Sequence, residues 1–286
     1  MLSLLPTRGM PNYGNLVKSQ CPMNRGLVSR WLNLPQRRGG ATFHDLCRRN
    51  DGTLTNGPLW SGALGRPGGF GSLFFDGSND YINIPDADIL TPTGDFAFCA
   101  WAYRTSESAT NTLFSKGAAS NDREWQLTCR DSGSGSTILL LIGDNGGNWN
   151  VALDGAAMAL TTWTHILGQL RGTTAELYVN GALSASVAYG GTNVVNTGTA
   201  VSIGRASQGA EYWPGYLDDL RFYLRSFVAG EVLFLYNDSR LVYSQTLNYV
   251  TRHVVNAVAA AGRTTKNTRA FPLGVNVGMD HRQCNI

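Results

Sequence analysis

From Gly71 onward the chain is a train of short runs rich in Val, Ile, Leu, Phe, Tyr and Trp, each cut off by Gly, Asn, Asp or Ser. Apolar, β-branched and aromatic runs of this length, bounded by turn formers, are strands rather than helices. The spacing predicts strands near 73–76, 81–84, 96–104, 112–115, 124–129, 137–142, 150–153, 164–170, 175–179, 182–188, 200–203 and 215–223. So many short strands in one chain require a sandwich or a barrel. In Leu177-Tyr178-Val179-Asn180-Gly181-Ala182-Leu183, Asn-Gly supplies the two positive-φ residues of a type I′ hairpin. Alternation places Phe96, Phe98, Ala100 and Ala102 on one face of their strand and Ala97, Cys99, Trp101 and Tyr103 on the other. Both faces are apolar, so this strand must be covered on both sides. After Arg225 the period changes, and Val232, Phe234, Leu235 and Tyr236 around Glu231 predict one short helix.

Composition agrees with a strand-rich domain that turns often: 34 glycines, 43% hydrophobic and 15% charged residues. At 286 residues there is room for one large all-β domain with appendages. No run of 18 apolar residues occurs, and Pro6 and Arg8 interrupt the start, so neither membrane insertion nor a secretory signal is expected. The five cysteines, at 21, 47, 99, 129 and 284, lack CxxC spacing and are expected as free thiols, a Cys99–Cys129 bridge being the less favoured alternative.

The net charge of +3 conceals a division. Residues 1–40 carry six Lys or Arg and no acid, and residues 239–286 carry six with Asp280 as the one acid, which leaves 11 basic and 19 acidic residues, a charge of −8, between them. The pattern reads as two cationic arms, 1–25 and 241–286, that hold an acidic partner surface, or as solubilising charge on disordered ends. An acidic body whose aromatics are not interleaved with Lys and Arg does not suit nucleic acid.

Seven motifs in register resemble one family. They are Gly26-Leu27-Val28-Ser29-Arg30-Trp31, Asn50-Asp51-Gly52-Thr53-Leu54-Thr55-Asn56-Gly57, Leu73-Phe74-Phe75-Asp76-Gly77-Ser78-Asn79-Asp80-Tyr81-Ile82, Trp163-Thr164-His165, Leu177-Tyr178-Val179-Asn180-Gly181, Ser202-Ile203-Gly204-Arg205 and Gly215-Tyr216-Leu217-Asp218-Asp219-Leu220-Arg221-Phe222-Tyr223. Together, over residues 26–240, they are similar to the LamG-like jelly-roll domain of the concanavalin A-like lectin/glucanase superfamily. The resemblance implies an all-β, two-sheet antiparallel jelly-roll sandwich. Val228 stands where the family has a Ser three residues before Glu231, so the capping box of the last helix is expected to be lost. The layout also resembles structural proteins of tailed bacteriophages, which would make the arms docking segments for other virion or capsid proteins.

Chemistry is sparse. A hydrolase of this superfamily needs two carboxylates a few ångströms apart. The five Glu, at 107, 124, 176, 211 and 231, form no such spacing, and Asp218 and Asp219, as neighbours on a strand, are expected to face opposite ways. No enzyme is therefore expected. Asp76-Gly77-Ser78-Asn79-Asp80 offers oxygen ligands on a tight turn, and the resemblance adds Asp218, so Asp76, Asp80 and Asp218 are the candidate calcium ligands. The alternative is an Asx-turn, with Asp218 sharing a face with Leu220 and Phe222 and accepting backbone N–H bonds or pairing an Arg. For sugar binding the candidates are Asn148, Trp149, Tyr212 and Trp213, an aromatic ring beside polar loops, while Trp31, Trp101 and Trp163 are expected in the core. The expected function is a non-enzymatic virion component, capsid- or tail-associated, displaying a sandwich that binds host cell-surface glycans. The alternative is a free extracellular lectin-like module. Homo-oligomerisation is compatible with either, and no heptad or interface pattern selects a stoichiometry.

Overall fold

The computed structural model describes residues 22–237 apart from 35–38, 108–109, 118–122, 132–135, 145–147, 192–193, 195 and 208. The expected arms at 1–25 and 241–286 therefore lie almost wholly outside the described residues. In chain order the strands are β1 (Leu27–Trp31), β2 (Thr42–Phe43), β3 (Gly52–Thr55), β4 (Leu59–Ser61), β5 (Ser72–Asp76), β6 (Tyr81–Ile84), β7 (Phe96–Arg104) and β8 (Asn111–Gly117). They continue as β9 (Arg123–Asp131), β10 (Ser136–Gly143), β11 (Trp149–Ala157), β12 (Thr164–Arg171), β13 (Thr174–Val179), β14 (Ala182–Ala188), β15 (Val201–Ile203) and β16 (Pro214–Tyr223). Among the described residues one α-helix, α1, spans 229–237.

Local chemistry sets the register. Asn180 and Gly181 take φ of 51° and 82°, as a type I′ turn demands, and close the hairpin directly between Val179 and Ala182. The strands assemble into two antiparallel sheets. Sheet A runs β14-β13-β12-β7-β16-β5-β4 with β1 also paired to β16; sheet B runs β11-β10-β9-β8-β15-β6-β3-β2. The two inner faces meet along an aromatic seam. Phe98 of β7 lies 5.1 Å from Trp125 of β9 and 6.0 Å from Phe114 of β8, Phe222 lies 5.2 Å from Trp125, and Trp31 lies 5.7 Å from Phe114. These rings are fully buried, and tilted or edge-on pairs at such separations add to the stabilisation from burial itself.

Strand β7 is covered on both sides, as its alternation requires. Phe96, Phe98, Ala100 and Ala102 face sheet B, while Ala97 and Cys99 join a second cluster on the outer face of sheet A. That second cluster unites the two ends of the described chain: Met23 from the first turn packs with Phe227, Val232 and Leu235 around α1. Arg225 reinforces the junction, donating from Nε to the Arg25 carbonyl, while the Leu224 amide donates to the Gly26 carbonyl. Half of the capping box survives at α1, because Glu231 accepts the Val228 amide at 3.1 Å although no hydroxyl answers it. Cys99 on sheet A and Cys129 on sheet B are free thiols, as is Cys47. Trp31 and Trp101 are buried, but Trp163, expected in the core, is only half-buried at the rim, one residue before β12.

Candidate functional site

The most polar buried region lies on the outer face of sheet A, where β16 breaks its own alternation. A bulge falls between Asp218 and Arg221 opposite Trp101 and Cys99, and Asp219 takes a left-handed φ of 48°. Leu217, Leu220 and Phe222 stay in the core. Both carboxylates are thereby turned to one side, against the expectation that adjacent strand residues diverge, and Asp218 does not share a face with Leu220 and Phe222. Asp219 Oδ1 accepts from Arg30 Nε (2.7 Å) and Arg221 Nε (2.9 Å). Its Oδ2 accepts from Arg30 Nη2 (3.0 Å), Arg66 Nη2 (3.0 Å) and Arg221 Nη2 (2.6 Å). Asp218 accepts the Asn33 amide at Oδ1 (3.0 Å) and Arg66 Nε at Oδ2 (2.9 Å).

This environment drives the two acids apart. Burial pushes the Asp218 carboxyl up to about 6, outweighing Arg66. Burial would also raise Asp219, but the guanidiniums of Arg221, Arg30 and Arg66 outweigh it and hold this acid well below its ordinary range. His165 is fully buried nearby, and desolvation, reinforced by Arg221, lowers it to about 3, so the ring is neutral. Divergent acids are the electrostatic signature of an acid–base pair. Here both side chains have no exposed surface, so a substrate cannot reach them and the network serves the fold.

The calcium set is not assembled. Asp76 Oδ1 accepts the Ser78 amide (2.8 Å) and the Asn79 amide (3.3 Å), which is an Asx-turn, and Asp80 Oδ2 accepts the Asp76 amide (3.0 Å). Those backbone bonds lower the Asp76 carboxyl, the bond from Ser78 first, whereas burial raises Asp80. Asp218 is held by Arg66 and Asn33 instead of joining the turn, and among the described residues no three His, Cys, Asp or Glu side chains converge as metal ligands. The three carboxylates are therefore not brought together as one ligand set.

The sugar candidates are also separated. Trp213 is fully buried in the core, on the same strand parity as Leu217. Tyr212 is half-buried beside Asn111, which donates to its carbonyl at 2.7 Å at the start of β8. Glu211, with φ of 59°, folds over sheet B so that its carboxylate accepts from Thr112 (2.7 Å) and Gln126 (2.9 Å). Trp149 begins β11 opposite Gly143, at the other end of sheet B: the Gly117 end of β8, where Arg123 pairs with Gly117. Asn148 and Trp149 therefore remain together, while Tyr212 sits the length of β8 away.

At the Trp149 end the aromatic ring is half-buried, with the Arg123 guanidinium 5.2 Å from its centroid. Asn148 and Asn150 flank it and are exposed. Asn150 holds the neighbouring loop by accepting the Gly190 and Gly191 amides at 2.9 and 3.1 Å, and donates to Asp144 at 3.3 Å. A flat ring fixed from one side, bordered by amides and a carboxylate, can cover the apolar face of a pyranose while its neighbours bond the hydroxyls. Arg123 was invisible to sequence reasoning because it lies 26 positions from Trp149; the cross-strand register alone brings the two together.

Residues 76–233, more than half of the chain, match the family Laminin_G_3, described as the concanavalin A-like lectin/glucanases superfamily. The chain belongs to this superfamily. No curated protein sequence matches this concanavalin A-like chain. Among solved structures it is similar to the binding domain of Paraclostridial Mosquitocidal Protein 1, at 14% identity and a TM-score of 0.59, over 76% of this chain and 53% of that one. It is similar to botulinum neurotoxin type C, whose passage into cells depends on interaction with two ganglioside molecules, at 10% identity and 0.56, over 76% and 52%. A mutant Trypanosoma rangeli sialidase displaying trans-sialidase activity is similar at 18% identity and 0.54, over 78% and 34%. The chain thus spans about half the length of the two toxin chains and a third of the sialidase. At these identities the likeness establishes a lectin-like sandwich fold.

Proposed function

We propose that this concanavalin A-like sandwich is a non-enzymatic glycan-binding module carried on a virion, with its Trp149 edge meeting host sugars and its terminal segments attaching it to the particle. The observation that carries the reading is the placement of the first and last described residues. Met23 and α1 share one cluster on the outer face of sheet A, so residues 1–21, with Arg8 and Lys18, and residues 238–286, with six Lys or Arg, continue from the same side of the sandwich. Arg30, counted in the basic N-terminal stretch by sequence, is buried against Asp219 and contributes nothing to an arm. Around the exit from α1 the surface is apolar, with Leu224, Val228, Leu233 and Phe234 between 42% and 59% exposed, as suits a face that docks. The Trp149 edge belongs to sheet B. Solved relatives of the fold that are named for binding, one of them dependent on gangliosides, support a saccharide as the ligand.

The test pairs a glycan array with virion attachment. Wild type should select a glycan subset, Trp149→Ala should lose it by tenfold or more with an unchanged melting temperature, and deletion of 238–286 should keep sugar binding but release the module from particles. Sugar binding indifferent to Trp149→Ala overturns the binding edge. Particle attachment indifferent to the deletion overturns the arms and favours a free lectin-like module.

A further inference from the structure

A polar concavity lies at the opposite edge of sheet B, in the 44–51 loop between β2 and β3. Its volume is about 410 Å³ and its walls are His44, Asp45, Arg48, Arg49 and Asp51. The loop is built around its acids. The Asp45 carboxylate accepts the amides of Arg30 (2.8 Å) and Cys47 (2.9 Å) at Oδ1 and those of Arg49 (3.2 Å) and Asn50 (3.1 Å) at Oδ2. Asp51 accepts the Asp45 amide at 2.7 Å and pairs with His44 Nδ1 at 3.0 Å. Trp31 pins the far side through its indole N–H on the Asn50 carbonyl at 2.7 Å.

The acceptors of this loop are consequently committed to internal bonds. The cations are not: Arg48 and Arg49 are exposed, and among the described residues neither guanidinium makes a hydrogen bond or an ion pair. Arg48 moreover occupies a left-handed φ of 58°, a position that ordinarily favours Gly or Asn. Two exposed guanidiniums thus border a concavity whose carboxylates are already engaged by the loop's own donors. Cys47 adds no chemistry to it, since burial, followed by the Asp45 charge, pushes its thiol up to about 12.

We infer that the 44–51 concavity is a second ligand site, in which Arg48 and Arg49 grip the carboxylate or sulfate of an acidic saccharide and His44 borders its sugar ring. The planar guanidinium fork matches both oxyanions, so the two share one recognition chemistry. The inference rests on the glycan-binding reading above and adds the charge class of the ligand. Because this loop and Trp149 sit at opposite edges of sheet B, the sites engage separate sugars.

The experiment is an NMR titration of the full chain, following the 44–51 amides, the Arg48 and Arg49 Nε–H signals and the Trp149 indole. The probes are 3′-sialyllactose, a disulfated heparin disaccharide and lactose. The expected result is saturable movement of the arginine signals at millimolar concentration with at least one acidic probe and none with lactose. Arg48→Gly, which suits the left-handed backbone and so keeps the loop, should weaken that binding roughly tenfold or more. Response to sialyllactose alone assigns a carboxylate ligand, and response to the disaccharide alone a sulfate; both support the site. Acidic probes that move only the Trp149 indole overturn the second site and leave the glycan reading standing. Lactose moving the arginine signals as far as the acidic probes overturns oxyanion recognition, and silence of the arginine signals with all three overturns the second site, leaving the glycan reading to the array.

Discussion

Asp218 and Asp219 are neighbours with the same side chain, yet replacing each by Asn should give unequal losses. Asp219 receives five hydrogen bonds from three guanidiniums, all enclosed. Asp219→Asn removes the one charge that holds Arg30, Arg66 and Arg221 together and turns an amide N–H₂ toward donors. Breaking a buried network in this way costs about 3–5 kcal/mol, and at ~2–4 °C per kcal/mol for a domain of this size the melting temperature should fall by about 6–20 °C. Asp218 is different because burial already disfavours its charge, with its carboxyl raised to about 6. Asn keeps an oxygen for the Asn33 amide but turns its N–H₂ toward Arg66 Nε, while Arg66 Nη2 keeps Asp219, so Asp218→Asn at pH 7 should cost about 1–3 kcal/mol, less than Asp219→Asn.

The pH dependence separates the two acids further. A raised folded value means that stability from protonated Asp218 is fully present below the unfolded value near 3.9 and is lost as pH rises through about 6. Between pH 7 and 5 the folded group takes up most of a proton and the unfolded one little, so acidification should add roughly 1 kcal/mol through this residue. Asp219, held low, contributes stability that is present throughout that window and is lost only as pH falls below the ordinary carboxylate range. Urea unfolding of wild type and both variants at pH 5 and 7 measures all of this. A wild-type gain on acidification that persists in Asp218→Asn, or an Asp218→Asn cost equal to that of Asp219→Asn, would refute the reasoning.

Gly215→Ala should destabilise by on the order of 3 kcal/mol or more, since φ is 139° and an added Cβ would lie 2.1 Å from the Tyr103 carbonyl oxygen; thermal unfolding near wild type would contradict the β7–β16 register. Gly181→Ala should cost about 1 kcal/mol, from a positive φ and contacts of 3.1 Å with Leu233 and Tyr236, read as a shifted urea midpoint. A chelator should leave the melting temperature unchanged, because Asp76, Asp80 and Asp218 are each occupied by protein donors; a fall of several degrees in EDTA would restore the metal.

Much of the fold was legible because strand patterns and turn chemistry are local. The run Phe96–Arg104 declares both its faces, and Asn180-Gly181 declares its hairpin, without any knowledge of the partner sheet. Strands β2, β3 and β4 escaped notice because Thr42–Phe43, Gly52–Thr55 and Leu59–Ser61 carry no more than two apolar residues each and do not stand out as apolar runs. The site was harder to read. Alternation sent Asp218 and Asp219 to opposite faces, but the bulge at Asp219 is a response to three arginines that arrive from 30, 66 and 221, and no local signal announces them. Trp213 was equally hidden: counting back by twos from Phe222 and Leu220 puts it on the opposite face, and the bulge at Asp219 is what brings it and Leu217 to the core. The concavity at 44–51 was hidden too, since its meaning depends on which acids are already engaged, a property of hydrogen bonds rather than of residue types.

Because Met23 and α1 close on each other outside sheet A, the sandwich is topologically almost a ring. A peptide bridging 22 and 237 along this face would permit circular permutation, and entry and exit on one side suit insertion of the whole unit into a surface loop of another protein. A lineage holding such a cassette can move it between carriers by insertion alone, leaving both sheets and the rim they present untouched.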